Sequence, residues 1–226
     1  MKVVKVLMIV TSHDRLGSTG HPTGLFLSDL SRLYLFFTQR GMKVDIASPR
    51  GGKAPIDPSS APDPDAEPYA HLADTTLELS AIEAGKYSAV VLVGGHGAMF
   101  DFPEDPHLHR ILGQVDSYGR VVAAISHGQA GLLNAKSGDG SGDYFVTRRR
   151  VTGFSNAEQT QVGLTEAMPF SLQDKLLERG ARYMCTSSWQ EHVVSDYNLV
   201  TGQNPASATR LAESVAELAE TVASEW

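Results

Sequence analysis

The sequence predicts an α/β fold: a mostly parallel sheet with helices packed on both of its faces. Three observations carry this expectation. Short, near-continuous apolar runs recur along the chain, amphipathic helical stripes separate them, and small polar or glycine residues close them. The expected strands are residues 3–10, 44–47, 88–93, 121–125 and 198–201. The first helix is read from Phe26, Leu30, Leu33 and Phe37, which fall at i, i+4, i+7 and i+11. A second is expected over 106–118, and a last one from Leu211, Val215, Leu218 and Val222 at the same spacing. In sheets of this kind, ligands bind beyond the carboxyl ends of the strands.

Two segments break the alternation. Residues 55–76, PIDPSSAPDPDAEPYAHLADTT, are rich in Pro and Asp and predict a long surface loop, either a lid or disordered decoration. Residues 136–144, KSGDGSGDY, predict a flexible connector or hairpin tip. With 226 residues and 42% apolar content, the chain can bury one good-sized core, so a single domain over 1–226 is expected.

The composition excludes several function classes. A formal charge of −7, with acidic residues spread throughout, argues against a nucleic-acid surface. The one basic run, Arg148-Arg149-Arg150, is read as a solvated strand entrance. No apolar run approaches the roughly 18 residues of a membrane span. The opening MKVVKVLMIV leads into TSHD rather than a small-residue cleavage site, so it is read as a buried strand of a cytoplasmic protein. Cys185 is the only cysteine, which rules out an intrachain disulfide and a cysteine metal cluster. The pair in HLH, His107 and His109, faces apart on a helix, so no metal site is expected. The first strand is not followed by G-x-G-x-x-G, and PRGGKAP lacks the G-K-[ST] of a phosphate loop, so no cofactor is expected.

Three features point to chemistry. In VVAAISHGQAGLL, residues 121–133, an apolar strand run stops at Ser126 and a helical pattern follows. This is one residue short of G-x-S-x-G, with Ala124 and Gly128 as the small neighbours a sharp turn needs and His127 directly after the hydroxyl. Ser126 is therefore a candidate nucleophile in strained backbone, or a cap of the following helix. Gly94-Gly95-His96-Gly97 closes another strand and is too glycine-dense for packing alone; such a turn lets backbone N–H groups approach a substrate oxyanion. Asp29 lies at the edge of the first helix's apolar stripe, three residues after Phe26 and four before Leu33. A carboxyl partly desolvated there has a raised pKa suited to proton transfer, and hydrogen-bond reach to Ser126 is expected; an exposed surface Asp is the alternative.

Taken together, GGHGAMFDFPEDP, VVAAISHGQAGLL, VTGFSNAEQTQVGL, LVTGQNPASA, PTGLFLSDL and VDIASPRGGKAPIDPSS resemble the ThiJ/PfpI superfamily. This is a relative of the class I glutamine amidotransferases, and the matching branch holds glyoxalase III, protein deglycase and heat-shock chaperone activities. The resemblance covers nearly the whole chain. It implies a flavodoxin-like sandwich, usually a homodimer, and a cysteine nucleophile followed by His. Here the cysteine position holds Ser126 and the next residue is His127. The family's helix glutamate corresponds to Asp29, its Glu-Glu pair to Glu158-Gln159, and its oxyanion turn to Gly95, His96 and Gly97.

Three reactive positions thus depart from the pattern, which fits natural divergence better than one engineered Cys-to-Ser exchange. A hydroxyl needs a positioned base where a thiol ionises readily. Gln159 can orient His127 but brings no charge, unless Glu158 supplies it. The expectation is a cofactor-independent enzyme, a glyoxalase III-like lyase or a hydrolase, acting on a small carbonyl or related electrophilic metabolite. The alternatives are a non-catalytic, chaperone-like or ligand-binding homodimer and an engineered glyoxalase III-like variant. A true α/β-hydrolase is disfavoured by the His directly after Ser126.

Overall fold

The computed structural model describes residues 3–60 and 63–224. In chain order it contains β1 (Lys5–Ile9), α1 (Leu27–Gln39), β2 (Lys43–Ser48), β3 (Leu77–Glu78), β4 (Ala89–Leu92), α2 (Ala98–Asp101), α3 (Pro106–Ser117) and β5 (Val121–Ile125). There follow β6 (Arg150–Val151), α4 (Asn156–Gln161), α5 (Leu172–Glu178), β7 (Arg182–Tyr183), β8 (Val193–Asp196), β9 (Leu199–Gly202) and α6 (Ala208–Ser224). Seven strands form one sheet in the order β3-β2-β1-β4-β5-β9-β8, parallel throughout except that β8 runs antiparallel to β9. β6 and β7 pair separately. This is a flavodoxin-like α/β sandwich.

Period-two alternation divides the central strands between two cores. Val6, Met8, Val10, Val91, Ala123 and Ile125 face α1 and α6, while Leu7, Ile9, Val90, Leu92, Val122 and Ala124 face α3, α2 and α5. Both faces of β1, β4 and β5 are buried, which is why these strands read as unbroken apolar runs. On α1, Leu30, Leu33 and Phe37 are completely buried, each contributing roughly 1.5–3 kcal/mol relative to exposure. The helix stops at Gly41, whose φ of 79° suits a left-handed terminator. Asp105 starts α3 by accepting hydrogen bonds from the His107 and Leu108 N–H groups, with Pro106 at the first position.

Three expectations are revised. The Pro/Asp-rich segment is folded against the body rather than loose: 3-10 turns span Pro58–Ser60 and Glu67–Ala73, and Ala54, Ala66 and Ala73 are buried in the α1-side core. Ser60 Oγ accepts from the Leu27 N–H at 3.0 Å, so this strap also satisfies the start of α1. Ala61 and Pro62, within that segment, and residues 1, 2, 225 and 226 lie outside the described residues. The 136–144 connector is pinned, with a bridge between Lys136 and Tyr144 and the Gly138 N–H on Asp116. Arg149 is not a solvated entrance residue; its guanidinium pairs at 2.9 Å with the mostly covered side chain of Asp116 and also reaches Asn198. Among the described residues, no helix is long and apolar enough to cross a membrane.

Candidate active site

Register places the site. Leu92 of β4 stands opposite Ala124 of β5, so Gly94 and Ser126 leave neighbouring strands side by side at the sheet's carboxyl edge. Ile125 is still extended, but Ser126 has φ 60° and opens a 3-10 helix over Ser126–Leu132. A non-glycine residue in the left-handed region costs on the order of 1–3 kcal/mol and persists only where its surroundings impose it. Gly128 shows the imposition: a Cβ there would collide with the Leu92 carbonyl, so only glycine lets the turn seat against β4. The strained, tightly seated turn is that of a displayed side chain. The residue at the N-cap position is Ile125, and Ser126 is already the first residue of the helix, so Ser126 does not occupy the capping position.

Asp29 is fully buried, beyond the partial burial expected at the stripe's edge. α1 covers one side of it, and the Gly94 turn covers the other. A Cβ on Gly94 would stand 2.6 Å from Asp29 Oδ2 and 2.8 Å from Ser126 Cβ, so the two side chains meet over that glycine. Neither carboxyl oxygen has a hydrogen-bond partner among the described residues, so of the two expected routes to Ser126, direct or through one water, the direct bond is not made. Burial drives the Asp29 pKa up to about 7, against a smaller opposing pull from Arg32. Asp29 can therefore hold or release a proton near neutrality.

His127 is nearly buried, and its Nε2 lies 2.8 Å from Gln159 Oε1, the donor–acceptor pair of an Nε2–H tautomer. Burial first, then neighbouring His96, hold its pKa well below the ordinary histidine value. Glu158 does not supply the missing charge. Its carboxylate accepts from the Ser155 N–H and hydroxyl, the Trp189 N–H and the amides of Gln203 and Asn204. With Ser155 it forms a capping box at the start of α4. Gln159 thus meets His127, and Glu158 does not.

The glycine turn is tightly set. Gly95 has φ 126°, and a Cβ there would strike the backbone at Gly24, Leu25 and Phe26. The Gly97 N–H is turned toward Gly24 O at 3.4 Å, leaving the Gly95 and His96 N–H groups as the available donors of the expected oxyanion turn. Above it lies a cavity of about 400 Å³, lined by Phe26, Ser59, Gly95, His96, Ser126, His127, Phe154, Val162, Leu164, Trp189 and Pro205. A row of rings crosses it: His96 to His127 at 4.3 Å, His127 to Phe154 at 4.3 Å, Phe154 to Trp189 at 5.6 Å.

Sequence reasoning misses the apolar wall of this cavity and also Asp57, which lies behind His96 with Oδ2 3.8 Å from Nδ1. Asp57 carries no local signal. Trp189 carries one only in the structure, where its φ of 64° and its bond to Glu158 fix it at the rim. Among the described residues, no group of three His, Cys, Asp or Glu side chains is placed to hold a metal ion.

Comparison with known proteins fits this geometry. The chain is 28% identical over 230 residues to glyoxalase 3 of Candida albicans, covering 94% of this chain and 97% of that one. It is 30% identical over 224 residues to the glutathione-independent glyoxalase HSP31 of Saccharomyces cerevisiae, covering 90% and 93%. Among solved structures, Rapid Encystment Protein 24 KDa of Francisella tularensis superposes with a TM-score of 0.91 at 37% identity, over 96% of this chain and 99% of that one. The DJ-1/PfpI family model matches residues 24–218, which takes in the Asp29 helix, the glycine turn, the Ser126 elbow and the Glu158-Gln159 pair, and the chain belongs to the DJ-1/PfpI family.

Proposed function

We propose that this protein is a cofactor-independent enzyme acting on a small carbonyl compound, with Ser126 as the reacting hydroxyl. The observation that carries the reading is Ser126 itself, held at φ 60° at the strand-to-helix elbow and lining a mostly apolar cavity. The relatives named as glutathione-independent glyoxalases support the carbonyl class. In this reading Ser126 adds to or holds the carbonyl carbon. The free N–H groups at Gly95 and His96 receive the developing oxyanion, and Asp29 relays a proton from beneath. The oxyanion donors act best in a dry site, which the ring-lined cavity supplies. We propose further that it is a single-domain, cytoplasmic protein, by its length and composition, and a homodimer, by likeness to its family.

The reactive groups are not those of thiol chemistry, so conversion of methylglyoxal to lactate is expected to be slow. The assay compares the parent with Ser126→Ala, Ser126→Cys, and Ser126→Cys combined with Gln159→Glu and Asp29→Glu. Expected are slow parental turnover lost in Ser126→Ala, a partial gain in Ser126→Cys, and a further, non-additive gain in the triple variant. A second reading, a non-catalytic ligand-binding or chaperone-like homodimer, draws on the absence of a hydrogen bond between Asp29 and the hydroxyl. It prevails if the parent turns over no 2-oxoaldehyde or simple aldehyde and Ser126→Ala changes nothing.

A further inference from the structure

We infer that His96, positioned by Asp57, is the base that takes the Ser126 hydroxyl proton, and that His127 is not. The inference rests on the reading of Ser126 as the reacting hydroxyl. Two imidazoles line the same cavity with their rings 4.3 Å apart, and they differ in what stands behind them. His127 is backed by Gln159, a neutral amide that fixes the ring but cannot compensate an imidazolium. Behind His96 stands a carboxylate. Asp57 Oδ2 lies 3.8 Å from Nδ1, and both side chains are almost wholly buried.

Asp57 is itself locked. Its Oδ1 accepts from the Ser59 N–H at 2.9 Å and the Ser59 hydroxyl at 2.6 Å, and its Oδ2 accepts from Thr23 at 2.8 Å. Burial works to raise its pKa, but the His96 side and these hydrogen bonds outweigh it and bring the carboxyl down to about 2. The result is a fixed negative charge lying against His96 Nδ1, with its field also reaching His127 from farther off.

Both ring nitrogens of His96 are buried without a hydrogen-bond partner among the described residues. Buried polar atoms are normally hydrogen-bonded, so a ring with both nitrogens unpartnered beside a cavity has donor and acceptor capacity left for a ligand. An Nδ1–H turned to Asp57 leaves Nε2 with its lone pair free. A separation of 3.8 Å is long for a bond already made and ordinary for an apo site that tightens with its ligand.

The step balances. As the Ser126 oxygen bonds to the carbonyl carbon, the C=O π pair moves onto the carbonyl oxygen and the hydroxyl proton passes to His96. His96 then returns that proton to the oxyanion, leaving a neutral hemiacetal. Asp57 touches neither substrate nor proton; it orients the ring and offsets the imidazolium charge, as carboxylates behind catalytic imidazoles do.

The test uses the nucleophilicity of Ser126 and needs no natural substrate. The full chain is treated with an alkyl fluorophosphonate, which forms an Oγ–P bond as the P–F bond breaks and fluoride leaves with the electron pair. Adduct formation at Ser126 is timed by peptide mass spectrometry, with thermal melts confirming that each variant is folded. The parent is expected to label at Ser126. His96→Ala and the bulkier His96→Gln should label about 100-fold more slowly, the scale of a lost general base.

Added imidazole should restore at least about tenfold in His96→Ala, because the variant lacks only the base. A merely structural histidine would not be rescued. Asp57→Asn should slow labelling by about tenfold and His127→Gln by less than that. The inference is overturned if the parent does not label at Ser126, if His127→Gln costs as much as His96→Gln, or if imidazole rescues nothing. A parent that labels in this pattern yet turns over no carbonyl compound overturns the proposed function and leaves the Asp57–His96 pair standing.

Discussion

Two carboxyl groups sit completely buried beside residues that line the cavity, and they are treated in opposite ways. Glu158 accepts hydrogen bonds from Ser155, Trp189, Gln203 and Asn204, tying α4, the Trp189 rim and the residues after β9 to one point. Among the described residues, Asp29 has no hydrogen-bond partner for either oxygen, and burial raises its pKa to about 7. A buried carboxylate with every lone pair engaged is architecture. One left bare costs the fold stability whenever it ionises, and it keeps a proton available near neutral pH. The difference between Glu158 and Asp29 separates the frame of this site from its chemistry.

The largest expected effect falls on the frame. Glu158→Gln keeps the volume but sets an amide N–H₂ against donors, and it should destabilise the fold by roughly 3 kcal/mol or more in urea titration. A loss below about 1 kcal/mol would break the comparison from the Glu158 side.

Asp29→Asn tests the other side, and the sign follows from the raised pKa. The favourable state is the protonated one, present in full below about pH 4. As pH rises toward and through about 7, the folded carboxyl resists ionising while the unfolded one does not, so parental stability falls. The Asn variant escapes that loss. Its advantage over the parent should grow from near zero at about pH 4 to roughly 2–4 kcal/mol at pH 8. A pH-independent difference would mean that Asp29 titrates normally.

The smallest effect is at the hydroxyl. Ser126→Gly should be stabilising by up to about 1 kcal/mol, because glycine adopts φ 60° without strain while losing more freedom on folding. Destabilisation would show that the Ser126 side chain supports the frame.

The central sheet was open to reading because its strands are buried on both faces. The run at 121–125 matches β5 to the residue, bounded by Gly119-Arg120 and by Ser126. α4 escaped the apolar periodicity because NAEQTQ has no apolar stripe. The sign it did carry was Ser155 followed three residues later by Glu158, a capping box. β6, β7 and β3 are two residues each, too short for any period to register. At the site, Ser126 and His127 are legible in the local elbow motif, and Gln159 only through the family resemblance. Asp57 could not, since its meaning depends on a strap that brings residue 57 to His96 across the fold. Helical periodicity puts Asp29 at the edge of the apolar stripe of α1, but its full burial comes with the Gly94 turn, a contact that periodicity does not encode.

The elbow at residue 126 also bears on how such proteins diversify. Its position is set by main-chain contacts, the Gly128 seat against Leu92 and the strand register, not by the atom it presents. Oxygen, sulfur or hydrogen can be exchanged there while the scaffold keeps its shape. A lineage carrying this turn can therefore change reactivity by single substitutions without first rebuilding its core, and new activities become a short mutational walk from old ones.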